Sequence, residues 1–522
     1  MIEKHRKILR VLIINPPSLF DPKDPFTTGI VYMPIGLAYL AANLRESKIE
    51  FQVLDAFGSA PKRSSKFRNF VRLGLDNNEI LQYVKDYAPN IILFYANQVL
   101  NHDALVELIG VIRRTDPSIS LGVLENSQAV TAYKVNAVAE VFFKEGIDFL
   151  VSGELEIRVV ELLHFLESEN FQLDGCEIDG ISRPGKLSEP VLRKSSLDQL
   201  ATPLWELFPL ESYWSLDYAH GPKTRSRYLP LLTSRGCPFS CDFCVVPSVT
   251  QRKWNSRSPK SIYGEMLDHY IKFKVSEFHL EDLNPTINEE RMVELANLII
   301  ASGNDFTWKI AAGTKIETIK DLNTFQLLAK SGLKFISMSP ESGSYRVQKK
   351  IGKTFNKPYG IRVAKVCREN DIAIQACFVL GFPGETNLDL CQTFLYICQL
   401  TWAGLDEVAL FIVAPIPGSR LSTRFVNTND SLSELNFSPK WRKDYRKLFF
   451  SRILMYGSFL IIKFVRHPFE IVRFLKNVSS RKFRTKMEMT LFRGFLLFRI
   501  AKKLQSQSAN RKKWGESNYF PN

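Results

Sequence analysis

Three thiols fall within eight residues, in Cys237-Pro-Phe-Ser-Cys241-Asp-Phe-Cys244. Thiolates at that spacing can wrap one face of a metal centre. No fourth cysteine stands nearby: Cys176 is remote, and Cys367, Cys377, Cys391 and Cys398 lie far downstream. Three ligands leave a coordination position open, which separates a working site from a closed structural one. Thiolate-only ligation selects zinc, copper(I) or an iron–sulfur cluster. The spacing favours a cluster over a zinc site completed by a distant Cys or His, and over three incidental cysteines. His102, His220 and His279 form no ligand-spaced pair and read as loop or core residues. Cys391 and Cys398, seven apart on a helical pattern, share a face and read as core.

The elements around the motif are legible from periodicity. Before residue 168, strand-length apolar runs occur at Ile8–Ile14, Phe51–Leu54, Ile91–Tyr95, Ile119–Leu124 and Phe149–Val151, with helical patterns at Ile35–Leu44, Leu105–Arg113 and Leu155–Leu166. Short, continuously apolar strands separated by helices give an α/β, doubly wound Rossmann-like domain, here residues 1–170. Ligands of such sheets sit at the carboxyl ends of the strands, where Asn15, Pro16 and Asp55 fall. Residues 171–227 lose the rhythm but carry Trp205, Phe208, Tyr213 and Trp214, so they read as an ordered connector. A second alternation fills 228–420, with strands expected at Tyr228–Ser234, Glu277–Leu280, Thr307–Ala311, Phe335–Ser339, Ala373–Leu380 and Val408–Val413. Six βα units fall short of the eight of a closed barrel and predict a partial (βα)6 barrel. The motif lies directly after its first strand.

At this point the chain resembles the radical S-adenosylmethionine superfamily. The resemblance rests on the three cysteines with Phe243 before the last, on the flanking Thr233-Ser-Arg-Gly-Cys-Pro, and on three later segments at strand ends: Glu281-Asp-Leu-Asn284, Ser339-Pro-Glu-Ser-Gly-Ser344 and Gly381-Phe-Pro-Gly-Glu385. It implies that Cys237, Cys241 and Cys244 hold a 4Fe–4S cluster whose open iron takes S-adenosylmethionine, and that one electron yields a 5′-deoxyadenosyl radical. Glu341 and Ser342 would help seat S-adenosylmethionine, Gly381 would form the adenine-side turn, and Glu281 would stand near the cofactor. Val11–Pro17, Tyr32–Ala42, Val53–Phe57 and Gly146–Glu154 resemble the cobalamin-binding domain found in part of this superfamily, which implies cobalamin at Asn15, Pro16 and Asp55. The segment Leu121-Gly-Val-Leu-Glu-Asn-Ser127 departs from the family's glycine-rich turn, with Glu125 set to clash with a buried nucleotide tail or to remodel the loop. The chemistry implied is cobalamin-dependent methyl transfer to an unactivated carbon of a lipid-like or other small-molecule substrate, with an electron donor such as flavodoxin or ferredoxin. Radical cyclisation, rearrangement or coupling is the alternative, and RNA modification a third.

Composition excludes wholesale disorder: 45% of residues are hydrophobic and 24% charged. The amino terminus shows no signal-peptide pattern, and eight cysteines are too few for a disulfide scaffold, so a cytoplasmic protein is expected. Of 69 Lys/Arg and 54 Asp/Glu, 21 and 3 fall between Lys440 and Lys513, so the net charge of +15 belongs to one α-helical segment within residues 421–522. In its run Leu448–Val465, Arg452 and Lys463 leave only ten uninterrupted uncharged positions, which predicts no transmembrane span. The segment reads instead as basic amphipathic helix for a peripheral membrane surface at the inner face, with a helical cap on the barrel as the plain alternative and nucleic acid unlikely.

Overall fold

The computed structural model of the protein describes residues 9–129, 131–191, 196–424 and 431–515. Two six-stranded sheets organise it. The first contains β1 (Val11–Asn15), β2 (Phe51–Asp55), β3 (Ile91–Ala96), β4 (Ser120–Glu125), β5 (Phe149–Val151) and β6 (Ile181–Ser182). They lie in the order β2-β1-β3-β4-β5-β6, parallel except for β6. All residues of β1 and β3 are buried, which is why those strands read as unbroken apolar runs. Ile8, expected to open the first strand, lies outside the described residues.

The connector is less independent than its sequence suggests. Its β6 completes the first sheet, so that sheet extends past residue 170. Two hydrophobic side chains in it then tie the halves together: Tyr213 Oη donates to Asp55 (2.7 Å), and Trp214 Nε1 donates to the Tyr228 carbonyl (2.7 Å).

The second sheet holds β7 (Leu229–Leu231), β8 (Glu277–Leu280), β9 (Thr307–Thr314), β10 (Leu333–Glu341), β11 (Ala373–Leu380) and β12 (Glu407–Ile412). They pair in chain order, all parallel, as a six-stranded open barrel does. The run expected at Tyr228–Ser234 is broken: Ser234–Gly236 leaves the sheet and pairs antiparallel with Trp254–Ser256. That departure swings the cysteine segment out at the carboxyl end of the strands. Helix Pro259–Phe273 starts where Ser258 caps the Ser261 N–H with Pro259 at the first turn, and ends at left-handed Lys274. Across the domain junction, Tyr39 Oη donates to Glu265 (3.1 Å), which also binds Arg257 Nη1 (2.5 Å).

Three helices follow the barrel, at Tyr445–Arg466, Pro468–Ser480 and Lys486–Gly515. The first is long and apolar enough to cross a membrane by length and composition. The sequence argument against a span counted Arg452 and Lys463 as interruptions. In the fold both turn inward, Arg452 to Ser438 Oγ (2.8 Å) and Lys463 to the Leu405 carbonyl (2.9 Å) and Asp406 (3.3 Å). Both cations thus share the inward face with Leu448, Met455 and Phe459, while large apolar side chains such as Ile461 and Phe464 stand outward. The third helix closes the barrel floor: Phe483 N–H donates to the Lys223 carbonyl (2.8 Å), Met487 N–H to Glu407 (2.7 Å), and Lys486 Nζ to the Ala311 carbonyl (2.6 Å).

Candidate active site

The cysteine segment is held by its backbone. Asp242 N–H donates to the Ile351 carbonyl (3.0 Å), Leu421 N–H to the Asp242 carbonyl (2.9 Å), and Cys244 N–H to the Cys241 carbonyl (3.2 Å). Its entry requires glycine: Gly236 has φ +80°, and a Cβ there would stand 2.1 Å from the Lys253 carbonyl oxygen. Asp282 clamps the strand leading in. It accepts from the N–H groups of Thr233 (2.7 Å) and Ser234 (3.1 Å), while burial raises its carboxyl to about 6 in spite of nearby Arg291.

Burial pushes all three thiols up, Cys244 to about 12. They therefore need a cationic partner to ionise. Among the described residues, no three His, Cys, Asp or Glu side chains converge tightly enough to hold a single metal ion. Three soft thiolate donors suit an iron–sulfur cluster, in which each thiolate takes a different iron.

Lys353, which sequence reasoning missed, and Asn284, the last residue of the Glu281–Asn284 segment, complete the surroundings. Lys353 Nζ donates to Ser339 Oγ (2.8 Å) and Glu341 Oε1 (2.6 Å), and its charge also acts on all three thiols. Asn284 bonds Cys237 and accepts from Thr314. Glu341 sits at the end of β10 with φ +62°, a conformation that non-glycine residues adopt at a cost and that concentrates at functional sites. Replacing Lys353 by Met should cut cluster retention about 10–100-fold, since outer partners of metal ligands carry effects of that size. Iron loss to a chelator, timed in the variant and in Lys353→Arg, checks it. Equal rates in all three proteins would leave Lys353 with only a packing role.

The other expected residues are placed unevenly. Ser342 is buried and spends its hydroxyl on Thr393 Oγ1 (3.2 Å) and the Ser344 N–H (3.1 Å), so it shapes the turn after β10. Gly381 has φ +86°; Leu448 and Arg442 cover it from one side, while neighbouring Phe382 stacks 5.5 Å from Phe243 of the cysteine segment. Glu281 pairs with His220 Nδ1 (2.6 Å), whose ring lies 4.4 Å from Tyr32. His220, read from sequence as an ordinary core or loop residue, thus stands where the two domains meet. Cys391 is exposed and Cys398 half-exposed, against the core reading; the inward face of helix Asn387–Ala403 is formed by Leu390, Ile397 and Leu400.

A cleft opens between the halves, lined by Asn15, Tyr32, Tyr95, Asn97, Asn126 and Gln128 of the first domain and by Glu281 of the barrel. Strand pairing sets Asn15 beside Asp55, and the side chains bond (2.8 Å). Asn97 then donates to Asn15 Oδ1 (3.0 Å), and Asn126 to the Asn97 carbonyl (2.8 Å). Pro16 is buried directly after β1. Asp55 is buried beneath this layer and bound by Tyr213, so it supports Asn15 from behind. Gln128 Oε1 is buried and has no hydrogen-bond partner among the described residues. Glu125 does not project into the cleft. It folds back to accept from the Val135 N–H (2.9 Å), and burial raises it to about 7, which resolves its two sequence alternatives in favour of a remodelled loop.

The sequence pattern of the Radical SAM superfamily matches residues 231–397. The barrel is a radical S-adenosylmethionine domain. Cytidylyl-2-hydroxyethylphosphonate methyltransferase of Streptomyces wedmorensis is 26% identical over 484 residues, spanning 83% of this chain and 85% of its own. Anaerobic magnesium-protoporphyrin IX monomethyl ester cyclase of Synechocystis is 25% identical over 421 residues, spanning 78% and 75%. The solved structure of apo OxsB, a cobalamin-dependent S-adenosylmethionine radical enzyme, shares the fold with a TM-score of 0.59 at 16% identity, over 98% of this chain and 81% of that one. Residues 231–397 thus carry the radical S-adenosylmethionine domain of an enzyme, and most of the chain is similar to a methyltransferase and to a cyclase.

Proposed function

We propose that this radical S-adenosylmethionine enzyme transfers a methyl group from cobalamin to an unactivated carbon of a small or lipid-like molecule. The observation that carries the reading is the cleft. It faces the carboxyl ends of β1, β3 and β4 toward the end of β8, the same end of the barrel from which the cysteine segment emerges. Among its lining residues, the carboxamides of Asn15, Asn97, Asn126 and Gln128, the last with an orphaned acceptor, are groups suited to pair with the amides on a corrin rim. When bound, the cluster supplies the electron that cleaves S-adenosylmethionine, and the corrinoid carries the methyl group.

The chain's own residues then have defined tasks. Cys237, Cys241 and Cys244 would hold the cluster as thiolates, their charge offset by Lys353. Glu341, balanced by the same ammonium, presents a carboxylate suited to a ribose diol or an ammonium group of S-adenosylmethionine. Gly381 lets the backbone turn closely beside Phe243. Tyr32 and Tyr95 wall the cleft, and the Tyr39–Glu265–Arg257 contact keeps the two halves closed against water. A flavodoxin- or ferredoxin-type donor would deliver the electron.

Anaerobic reconstitution with iron, sulfide and hydroxocobalamin, followed by desalting, tests this. The expected product carries about four irons and one corrinoid per chain. Iron retained without corrinoid would reduce the first domain to a scaffold and remove methyl transfer. The relative that is a cyclase supports a second reading, radical ring formation. Product mass separates the two, because methylation adds about 14 Da and cyclisation does not.

A further inference from the structure

We propose that helices Asn387–Ala403, Tyr445–Arg466 and Pro468–Ser480 form a docking face for an anionic phospholipid bilayer, on which the protein lies without spanning it. The first support is helix Tyr445–Arg466. Its cations Arg452 and Lys463 are buried against the protein beside Leu448, Met455 and Phe459, whereas Ile461, Phe464 and Val465 are 60–69% exposed. A helix face turned to water carries polar side chains instead. The apolar run continues beyond the break at His467–Pro468 with Phe469, 86% exposed, and Val472.

The neighbouring helix extends the face. In Asn387–Ala403 the single charged residue is Asp389, which is buried and bound by Ser344 (2.6 Å) and by Arg346. Leu388, Leu395 and Trp402 recur every seven residues on its outer side and are all exposed. The Arg466 guanidinium lies over the Trp402 ring at 5.3 Å. A tryptophan beside a cation at the edge of an apolar surface is the arrangement side chains adopt at the headgroup level of a bilayer.

Charge chooses the occupant. Exposed Arg446, Lys447, Arg466, Arg473 and Lys476 accompany the apolar side chains. The acids of the segment are engaged: Asp444 by Arg442 (2.7 Å), Glu470 near Arg368 (3.9 Å) and Glu488 by Asn477 (2.9 Å). A second copy of the chain would set these cations against their own kind, and RNA would gain little from aliphatic side chains. An anionic bilayer satisfies both features, taking the apolar tips below its headgroups and the cations among its phosphates. Because Arg452 and Lys463 fasten the helix along the barrel, it lies in the interface.

The experiment is co-sedimentation of the full-length protein, purified anaerobically, with vesicles of phosphatidylcholine alone or mixed with phosphatidylglycerol. Binding to the mixed vesicles, weakened by salt and released by alkaline carbonate, is expected. Ile461→Glu/Phe464→Glu should reduce it by at least about tenfold, and Ile461→Ser/Phe464→Ser by less, with iron content and circular dichroism unchanged. Equal binding of both variants and the parent would overturn the proposal. So would no binding to either vesicle, retention after carbonate, which would mean a span, or a dimer that the Glu variant converts to monomer, which would mean a second copy covers the face.

Discussion

Cys241→Ala will yield a folded protein that retains no iron–sulfur cluster and cleaves no S-adenosylmethionine. The middle cysteine is the informative one, because both members of the Lys353–Glu341 pair act on its thiol. Folding should survive, since the segment is fixed by the backbone bonds of Asp242, Cys244 and Leu421. Iron and sulfide analysis after anaerobic reconstitution, with deoxyadenosine release under a strong reductant, reads both losses. Cys391→Ala, on an exposed helical face, should match the parent in both assays. A Cys241→Ala protein that kept its iron and its cleavage activity would refute the assignment of the three-cysteine centre.

The largest expected effect on stability lies at the other end of the barrel. Glu277 and Lys309, on the adjacent strands β8 and β9, are both buried and bonded at 2.7 Å. Burial alone would raise the Glu277 carboxyl, but Lys309 and His279 hold it well below the usual carboxylate range. The N–H groups of Thr224 and Arg225 converge on the same carboxylate at 3.1 and 2.8 Å. Removing the ammonium strands a carboxylate in the interior, so Lys309→Met should cost about 3–5 kcal/mol. Adding Glu277→Gln should recover part of that loss. A depressed folded pKa contributes stability that is present above the unfolded value and is lost only as pH falls through the folded one. The parent barrel should therefore hold its urea midpoint into mild acid, where Lys309→Met improves as its stranded carboxylate protonates. Midpoints that coincide at neutral pH would show that the pair adds nothing.

How much of this was legible follows from which interactions are local. Strands such as Thr307–Thr314 and Ala373–Leu380 fall where their mainly apolar runs marked them, because a parallel strand buried on both faces is largely apolar. The cysteine spacing is a signal contained in eight residues. Lys353 offered no such signal: it matters through contacts with Glu341 and with cysteines more than a hundred positions upstream, which no periodicity encodes. His220 is buried, in keeping with its core reading, but its contacts with Tyr32 and Glu281 from two domains left no local signal either. For the C-terminal helix the sequence left the direction of its charges open. Counting charges along Leu448–Val465 treated each as an interruption, whereas on a helix the direction of Arg452 and Lys463 decides their effect, and tertiary packing sets that direction.

The closure of the barrel floor by Phe483, Lys486 and Met487 bears on the order in which the enzyme can be assembled during synthesis. A chain emerging amino terminus first exposes both sheets long before residue 486 leaves the ribosome, and domains tend to fold as they appear. Until then the inner wall of the barrel lacks the ammonium that binds the Ala311 carbonyl and the backbone N–H that binds Glu407. Glu407, raised to about 7 by burial in the finished fold, would meanwhile face solvent. Docking of this last segment is therefore the step that completes the barrel wall.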